Sequence, residues 1–423
     1  MERAGRAVGP LPGMAADAAV AAGRERARPY GGGRLQICVV LLPIEPYSPS
    51  GGAIATVVRY VTREWERAGH AVTVLAPRGE AAPYAEGRSV VLGSRRGPRL
   101  PRGPLLPRDL STRITRQAHW DWPGYRRHLA AVQRAVRSLD QAPDVLIAHN
   151  DLQLLPELAT LAPEAQTVLW LHNEVRTARP DPLRALEGTD WIVAVSDYIA
   201  RWTERHYGLA AGTVRTAYNG VDLERFRPEP RCRLPGPPLR VVCHGRIDPG
   251  KGYHLVVDAV GRLRARGVAV DLTLAGGLQA FGLAPAAAEA YRDRLLASLE
   301  RVGGTYLGRI DPDEVPDLLR AADVACAPSL HREPFCLSAL EAMASGCALV
   351  ASDRGGLPEV CGDAGILVDL DDPGALDDAL AALAGDRAFL AERRQAARDR
   401  AERFPWSAPA AVALGGRPVP HRP

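Results

Sequence analysis

Hydrophobic and polar positions alternate along this chain in two rhythms. Short unbroken apolar runs rich in Val, Ile and Leu are separated by longer stretches whose apolar residues recur at helical spacing. LQICVVLL (35–42) reads as a strand, and ATVVRYVTREWERAG (55–69) as an amphipathic helix that stops at glycine. HAVTVLAP (70–77), DVLIAH (144–149), QTVLWLH (166–172) and DWIVAVS (190–196) repeat the strand pattern. Runs that are apolar on both faces and alternate with helices predict a parallel sheet covered on both sides.

RFRPEPRCRLPGPPLR (225–240) breaks the rhythm with five prolines and reads as a linker. After it the plan restarts with LRVVCHG (239–245), VAVDLTLAG (268–276), GTYLG (304–308), ADVACAPS (322–329) and CALVASD (347–353). The expected fold class is therefore α/β, with two doubly wound domains over 34–224 and 239–403 joined by a linker at 225–238. Both lengths are ordinary for a domain. Residues 1–33 are rich in Ala, Gly, Arg and Pro, and Asp17 interrupts their alanines, so they read as a disordered extension and not as a signal peptide. Residues 417–423 read as a tail.

Composition narrows the function without naming it. The net charge is only +4 over 423 residues, so nucleic acid is not an expected partner. Seven scattered cysteines form no Cys-x-x-Cys pair, which indicates neither a disulfide framework nor a zinc site and fits a reducing cytoplasm. No apolar run approaches the ~18 residues of a membrane span. Segment 94–117 carries seven arginines; it reads as a solvated loop, or as a peripheral contact with anionic membrane at the inner face or a phosphorylated lipid acceptor. Lys251 is the only lysine among 53 basic residues, and it falls in one of the loops that follow strands.

Ligands of open parallel sheets bind beyond the carboxyl ends of the strands. The residues at those ends are Gly51 and Gly52, His149 and Asn150, His172 and Asn173, Ser196 and Asp197 in the first half. In the second half they are Arg246 and Lys251, Gly276 and Gly277, Glu333, and Asp353 with Gly355 and Gly356. If the two edges face each other, the site is the cleft between domains. In GRIDPGKG (245–252) a planar fork and a point charge stand five residues apart among glycines, which suits phosphate oxygens. The spacing does not fit a Walker loop, and a solvated turn is the plain alternative.

REPFCLSALEAMASG (332–346) places Ser338, Glu341 and Ser345 on one narrow stripe of an otherwise apolar helix. Such a stripe must face a polar cavity, where a carboxylate can accept the two hydroxyls of a ribose. Glu333 precedes the helix, near backbone N–H groups that attract anions, and can accept hydroxyls of a second ring. A diphosphate would then lie between, against Arg246 and Lys251. Alternatively Glu333 is a capping acid and Glu341 pairs with an arginine.

These motifs resemble the retaining glycosyltransferases of the GT-B fold, family 4. The likeness runs over about 34–405 and includes PSGGAIATVVRYVTREWERAGHAVTVLAP, SDY, NGVD, GRIDPGKG, PDEVPDLLRAADV and EPFCLSALEAMASGCALVASDRGGLPEV, the Glu-x7-Glu region. The resemblance implies two Rossmann-like domains facing across a cleft, with a nucleotide-diphosphate sugar as donor substrate and an unspecified hydroxyl acceptor. It implies that Glu341 binds ribose, Glu333 the donor sugar, and Arg246 and Lys251 the diphosphate. Backbone near Gly51 and Gly52 and around Phe335, Cys336 and Leu337 assists. His172 orients the donor sugar and His149 lies on the acceptor side, unless either is a satisfied core residue. Glu333, His172, Arg246 and Lys251 are the expected catalytic set, and no cofactor or catalytic metal is expected. DLDD (369–372) has the look of a metal motif, but Asp372 followed by Pro373 reads as a helix N-cap.

The chain departs from the family at Cys336, where glycine is common: a Cβ there crowds the diphosphate, or is harmless if φ is negative. FPWSAPAAVALGG (404–416) resembles the family's last helix, which crosses back to the first domain, but Pro409 interrupts it. Two other readings share the architecture: a nucleotide-sugar 2-epimerase, which needs no acceptor, and a nucleotide-sugar-binding regulator without turnover.

Overall fold

A computed structural model of the chain describes residues 33–92, 123–176, 186, 189–228, 238–278 and 284–415. The Arg-rich segment 94–117, the tail, most of the expected linker and all but Gly33 of the N-terminal extension lie outside the described residues. Strands β1 (Gln36–Val40), β2 (Ala71–Pro77), β3 (Arg88–Leu92), β4 (Val145–His149), β5 (Gln166–Leu171), β6 (Trp191–Ala194) and β7 (Val214–Thr216) build a first sheet in the order β3-β2-β1-β4-β5-β6-β7. Strands β8 (Leu239–His244), β9 (Val270–Ala275), β10 (Thr305–Tyr306), β11 (Val324–Ala327), β12 (Ala348–Ser352) and β13 (Ile366–Val368) build a second in the order β10-β9-β8-β11-β12-β13. Every neighbouring pair is parallel. Two doubly wound α/β domains are thus present, as the apolar runs predict. The central strands are buried on both faces, which is why they carry no polar alternation. Strands β3, β7 and β13 escape the sequence pattern because they are short edge or near-edge strands whose exposed positions dilute it.

The helix Ala53–Arg67 buries Val57, Val58, Val61 and Trp65 on one stripe against the first sheet. Its far edge receives the C-terminal helix Ser407–Ala413: Trp65 Nε1 donates to the Ala410 carbonyl at 2.9 Å, and Trp406 stacks on Tyr60 at 5.0 Å. The end of the chain therefore returns to the first half. Pro409 does not interrupt this helix. It lies in the first turn, where a backbone N–H has no partner within the helix. Asp372 is also displaced from its expected role. The helix begins at Ala375, and the Asp372 carboxylate instead accepts the Gly374 N–H at 2.9 Å in the preceding turn.

Among the described residues six cysteines are free and buried, and none of them is disulfide-bonded. No described helix is long and apolar enough to cross a membrane.

Candidate active site

The strand order reverses between β8 and β11 in the second sheet, and ligands of open α/β sheets bind outside such a reversal. Two loops meet there. The first, after β8, tightens into a 3-10 turn over Pro249–Lys251, whose N-cap Asp248 accepts the Gly250 N–H at 2.9 Å. Gly252 then adopts φ +68°, and a Cβ there would lie 2.0 Å from the Pro328 carbonyl oxygen. Only glycine allows this approach, and it seats the lysine loop on the loop that follows β11. Leu330 N–H ties them again by donating to the Gly250 carbonyl at 2.8 Å.

This packing brings Lys251 and Glu333 together. Lys251 Nζ lies 2.7 Å from Glu333 Oε1, with 14% and 7% of the two side chains exposed. Ser329 Oγ donates to the same oxygen at 2.5 Å, and His331 Nε2 stands 3.1 Å away. Burial works against the charge on Glu333, but Lys251 and His331 outweigh it and hold the carboxyl well below its usual range. Burial likewise opposes the ammonium, yet Glu333 raises the Lys251 pKa. Glu333 is thus received by side chains and not by the helix-start N–H groups expected from sequence.

The Glu333 backbone is equally constrained. Gly356 N–H donates to the Glu333 carbonyl at 2.7 Å, and a Cβ on Gly355, at φ +68°, would sit 2.3 Å from that oxygen. Arg246 lies on the same loop as Lys251, before the Pro249–Lys251 turn, with its guanidinium 3.8 Å from Asp248.

The helix Leu337–Ala344 follows directly. Glu341 is partly exposed on it, 3.5 Å from His244 Nε2, so its partner is a histidine at the end of β8 and not an arginine. Ser338 shares the open stripe, as expected. Ser345 does not: it is buried and its hydroxyl donates back to the Glu341 carbonyl at 2.9 Å. Lys251, Ser329, Cys336 and Ser338 line one small pocket with His244.

Cys336 caps this helix at φ +87°, so the harmless negative-φ case does not hold. A side chain in this region stores about 1–3 kcal/mol of strain. Cys336→Gly is expected to stay within about 1 kcal/mol of wild type although it deletes a buried side chain, because relief of strain offsets the lost burial and glycine's chain entropy. Cys336→Val, β-branched at positive φ, should lose about 2–3 kcal/mol. Urea unfolding of both variants checks the pair; equal losses would contradict the strain.

In the first half the reversal lies between β1 and β4. The Gly52 N–H, at the start of the helix Ala53–Arg67, is held by Glu45 Oε1 at 2.7 Å, and the Ala55 N–H by the same oxygen at 3.1 Å. Gly51 is packed so closely that a Cβ would lie 2.4 Å from the Pro46 carbonyl oxygen. Beyond β4 and β5, His149 Nδ1 meets His172 Nε2 at 2.7 Å, both buried. Asn150, at φ +56°, turns back so that its Oδ1 accepts the His172 N–H at 2.7 Å. Burial lowers the His172 pKa to about 3 and drives that of His149 well down as well, with His172 adding to the effect. The imidazoles therefore share one proton while uncharged. His149 faces His172 and not open solvent.

The structure thus gathers Lys251, Glu333, Phe335, Cys336, Leu337 and Glu341 around one reversal point, with Arg246 on the same loop as Lys251. His149 and His172 form a separate pair at the facing sheet, the Gly52 N–H is held by Glu45, and the Gly51 N–H donates to the Ser48 carbonyl at 2.8 Å. Ser329, His331, His244 and Glu45 are additional members that the motifs did not single out. His331 and Ser329 could have been found by noting that they precede Glu333 on the same strand-end loop. His244 and Glu45 had no spacing signal.

A family model described as glycosyl transferases group 1 matches residues 238–386, and one described as glycosyltransferase family 4 matches residues 51–225. The chain is 35% identical over 260 residues to a D-inositol 3-phosphate glycosyltransferase of Streptomyces bingchenggensis, a match covering 55% of each chain, so it spans only about half of that relative's length. It is 29% identical over 382 residues to the phosphatidyl-myo-inositol mannosyltransferase of Mycolicibacterium smegmatis, covering 86% of this chain and 89% of the relative. Sucrose-phosphate synthase from Thermosynechococcus elongatus superposes with a TM-score of 0.68 at 21% identity, over 90% of this chain and 98% of its own. HepE of Anabaena, solved in complex with UDP-glucose, superposes with a TM-score of 0.63 at 18% identity, over 90% of this chain and 99% of its own.

Proposed function

The chain belongs to the group 1, family 4 glycosyltransferases, and from that membership we propose that it moves a sugar from a nucleotide-diphosphate donor to a hydroxyl acceptor with retention at the anomeric carbon. The observation that carries the reading is the Lys251–Glu333 pair, set one helical segment before Glu341 at the strand reversal. In it, Glu341 takes the ribose diol and Glu333 a hydroxyl of the transferred sugar. Lys251 and Arg246 meet the diphosphate between them, their positive charge stabilising the leaving group without a metal ion.

His172 orients the sugar from the facing sheet, and His149 positions His172 through the shared proton. The acceptor oxygen attacks the anomeric carbon on the face that the diphosphate leaves. The bond from that carbon to the diphosphate oxygen breaks, and the departing oxygen takes the acceptor's proton. Positioning and electrostatics then supply the rate. The likeness to inositol-directed relatives makes a polyol phosphate the first acceptor class to offer.

The test incubates the chain with UDP-, GDP- and ADP-sugars, with and without an inositol phosphate, and reads the product by proton NMR. The expected product carries the donor's anomeric configuration. An inverted product would contradict retention. A C2 epimer formed from donor alone would replace transfer with epimerisation, and binding without any turnover would leave a regulator.

A further inference from the structure

Several contacts join the halves: Tyr218 packs on Phe335 and Phe404, the Val221 N–H donates to the Phe404 carbonyl at 2.9 Å, and two further contacts differ in character. One is the C-terminal helix, which stacks Trp406 on Tyr60 and is largely apolar. The other is polar and closes on the segment that carries Glu333. Ser196, N-cap of the helix Asp197–Tyr207 in the first half, accepts the Ile199 N–H at 3.2 Å. Its hydroxyl donates across to the carbonyl of Pro334 at 2.5 Å, one residue after Glu333. Glu359 completes the bridge from the second half. Its Oε2 accepts the Asp197 N–H at 2.7 Å and its Oε1 the Tyr198 N–H at 2.6 Å.

A carboxylate from one half thus caps the first turn of a helix in the other, satisfying N–H groups that have no partner within that helix. Tyr218 lies beside both Glu359 and Asp197, Arg201 lies 3.4 Å from Glu359, and the Tyr198 hydroxyl donates to Glu174. Burial raises the Glu359 pKa, and the N–H bonds work against that rise.

Glu359 and Ser196 act on one piece of backbone. Glu333 bridges to Gly355, and Gly356 N–H holds the Glu333 carbonyl. Glu359 stands three residues beyond Gly356 on the short helix Leu357–Cys361. The Glu333 strand-end loop is therefore gripped by its own half from one side and by Ser196 from the other. Polar contacts of this kind break and reform readily, because both sides find water when the halves part.

We propose that Glu359 and Ser196 form a clamp between the halves, and that Glu333 takes its working position only while the start of the helix Asp197–Tyr207 is seated on Glu359. Glu359 is a positioning residue in this account: it touches no substrate and acts through the 332–336 backbone. The consequence for catalysis rests on the donor-site reading above. It separates binding from turnover. Arg246, Lys251 and Glu341 all belong to the second half, so a nucleoside diphosphate is held whether or not the clamp is closed, whereas transfer needs the clamp.

The experiment compares wild type with Glu359→Gln, whose carboxamide accepts one N–H and opposes the other, and with Tyr218→Phe, which keeps the ring and removes one hydroxyl. Amide hydrogen exchange at 196–199, affinity for UDP and GDP, and turnover of UDP-glucose and GDP-mannose are measured on the full chain. In Glu359→Gln the exchange is expected to quicken at least about tenfold and turnover to fall about tenfold or more, with nucleoside-diphosphate affinity within about twofold. Tyr218→Phe should change exchange and turnover in the same directions by about threefold, and it decides alone if Glu359→Gln fails to fold. Unchanged exchange, unchanged turnover with faster exchange, or a loss of affinity equal to the loss of turnover would each overturn the clamp. Failure of the wild-type chain to bind any nucleotide counts against the donor reading instead, and the exchange at 196–199 still decides the clamp.

Discussion

Lys251→Met is expected to destabilise the fold by about 3 kcal/mol and to lower turnover at least about a hundredfold. The lysine is the closest countercharge of a carboxylate that is almost completely buried. Removing one partner of a buried ion pair leaves the other charge unpaired, which costs about 3–5 kcal/mol. Ser329 and His331 still reach Glu333, which places the expected loss at the low end of that range. Adding Glu333→Gln removes the stranded charge, so the double variant should regain most of the stability. It should not regain turnover, because the cation at the diphosphate and the acid at the sugar are then both gone. Urea unfolding and steady-state turnover on the two single variants and the double variant check this cycle. A Lys251→Met protein as stable as wild type would show that the pair is not the buried interaction described here. Turnover regained in the double variant would remove both residues from the chemistry.

Acidification is the second large effect. His149 and His172 are held neutral in the folded chain, with His172 at about 3, whereas an unfolded histidine titrates near 6.5. Above pH 6.5 neither state takes the proton, and the pair contributes no pH dependence. Below it the unfolded chain binds protons that the folded chain refuses, so stability falls as the pH drops from about 6.5 toward the folded values. The loss approaches ~1.4 kcal/mol per pH unit for each histidine, or about 2 kcal/mol each by pH 5. Buried His128, lowered to about 4, adds in the same direction.

Glu333 does not share this window. Its lowered pKa contributes stability that is complete above its ordinary value of 4.5 and lost only as the pH falls below that. Urea midpoints at pH 7.5, 6.5, 5.5 and 5.0 therefore separate the histidines from Glu333, with the raised carboxyls of Glu45 and Glu359 acting in the opposite sense. His149→Gln together with His172→Gln should reduce the slope between pH 6.5 and 5 to the smaller part that His128 contributes. Wild-type stability that is level across that interval would mean the imidazoles are charged or solvated.

The sheets and the second-half site were legible because each rests on a local pattern. Unbroken apolar runs such as DVLIAH and CALVASD mark strands buried on both faces; the lone Lys251 and Glu333 sit on loops that follow such strands, and Glu341 on the helix just after. What escaped the sequence depends on contacts distant along the chain. That Glu333 is paired with Lys251 follows from Gly252 packing against Pro328, which no spacing announces. Cys336 takes its positive φ at the junction of the loop with the helix Leu337–Ala344, and the residue type at 336 left both signs open. Glu45 on the Gly52 N–H and Glu359 on the helix at Asp197 are single acids in ordinary surroundings until the fold places a helix start beside them. Ser345 misled in the other direction: its helical spacing was right, but it stands at the helix end, where its hydroxyl turns back to a carbonyl.

The most direct measurement is a crystal structure of the chain with whichever nucleotide sugar of the panel binds most tightly. The account predicts the ribose hydroxyls on the Glu341 carboxylate, a diphosphate oxygen within hydrogen-bonding distance of Lys251 Nζ, and a sugar hydroxyl on Glu333. A nucleotide seated elsewhere, with Lys251 and Glu333 still paired and neither touching it, would contradict it.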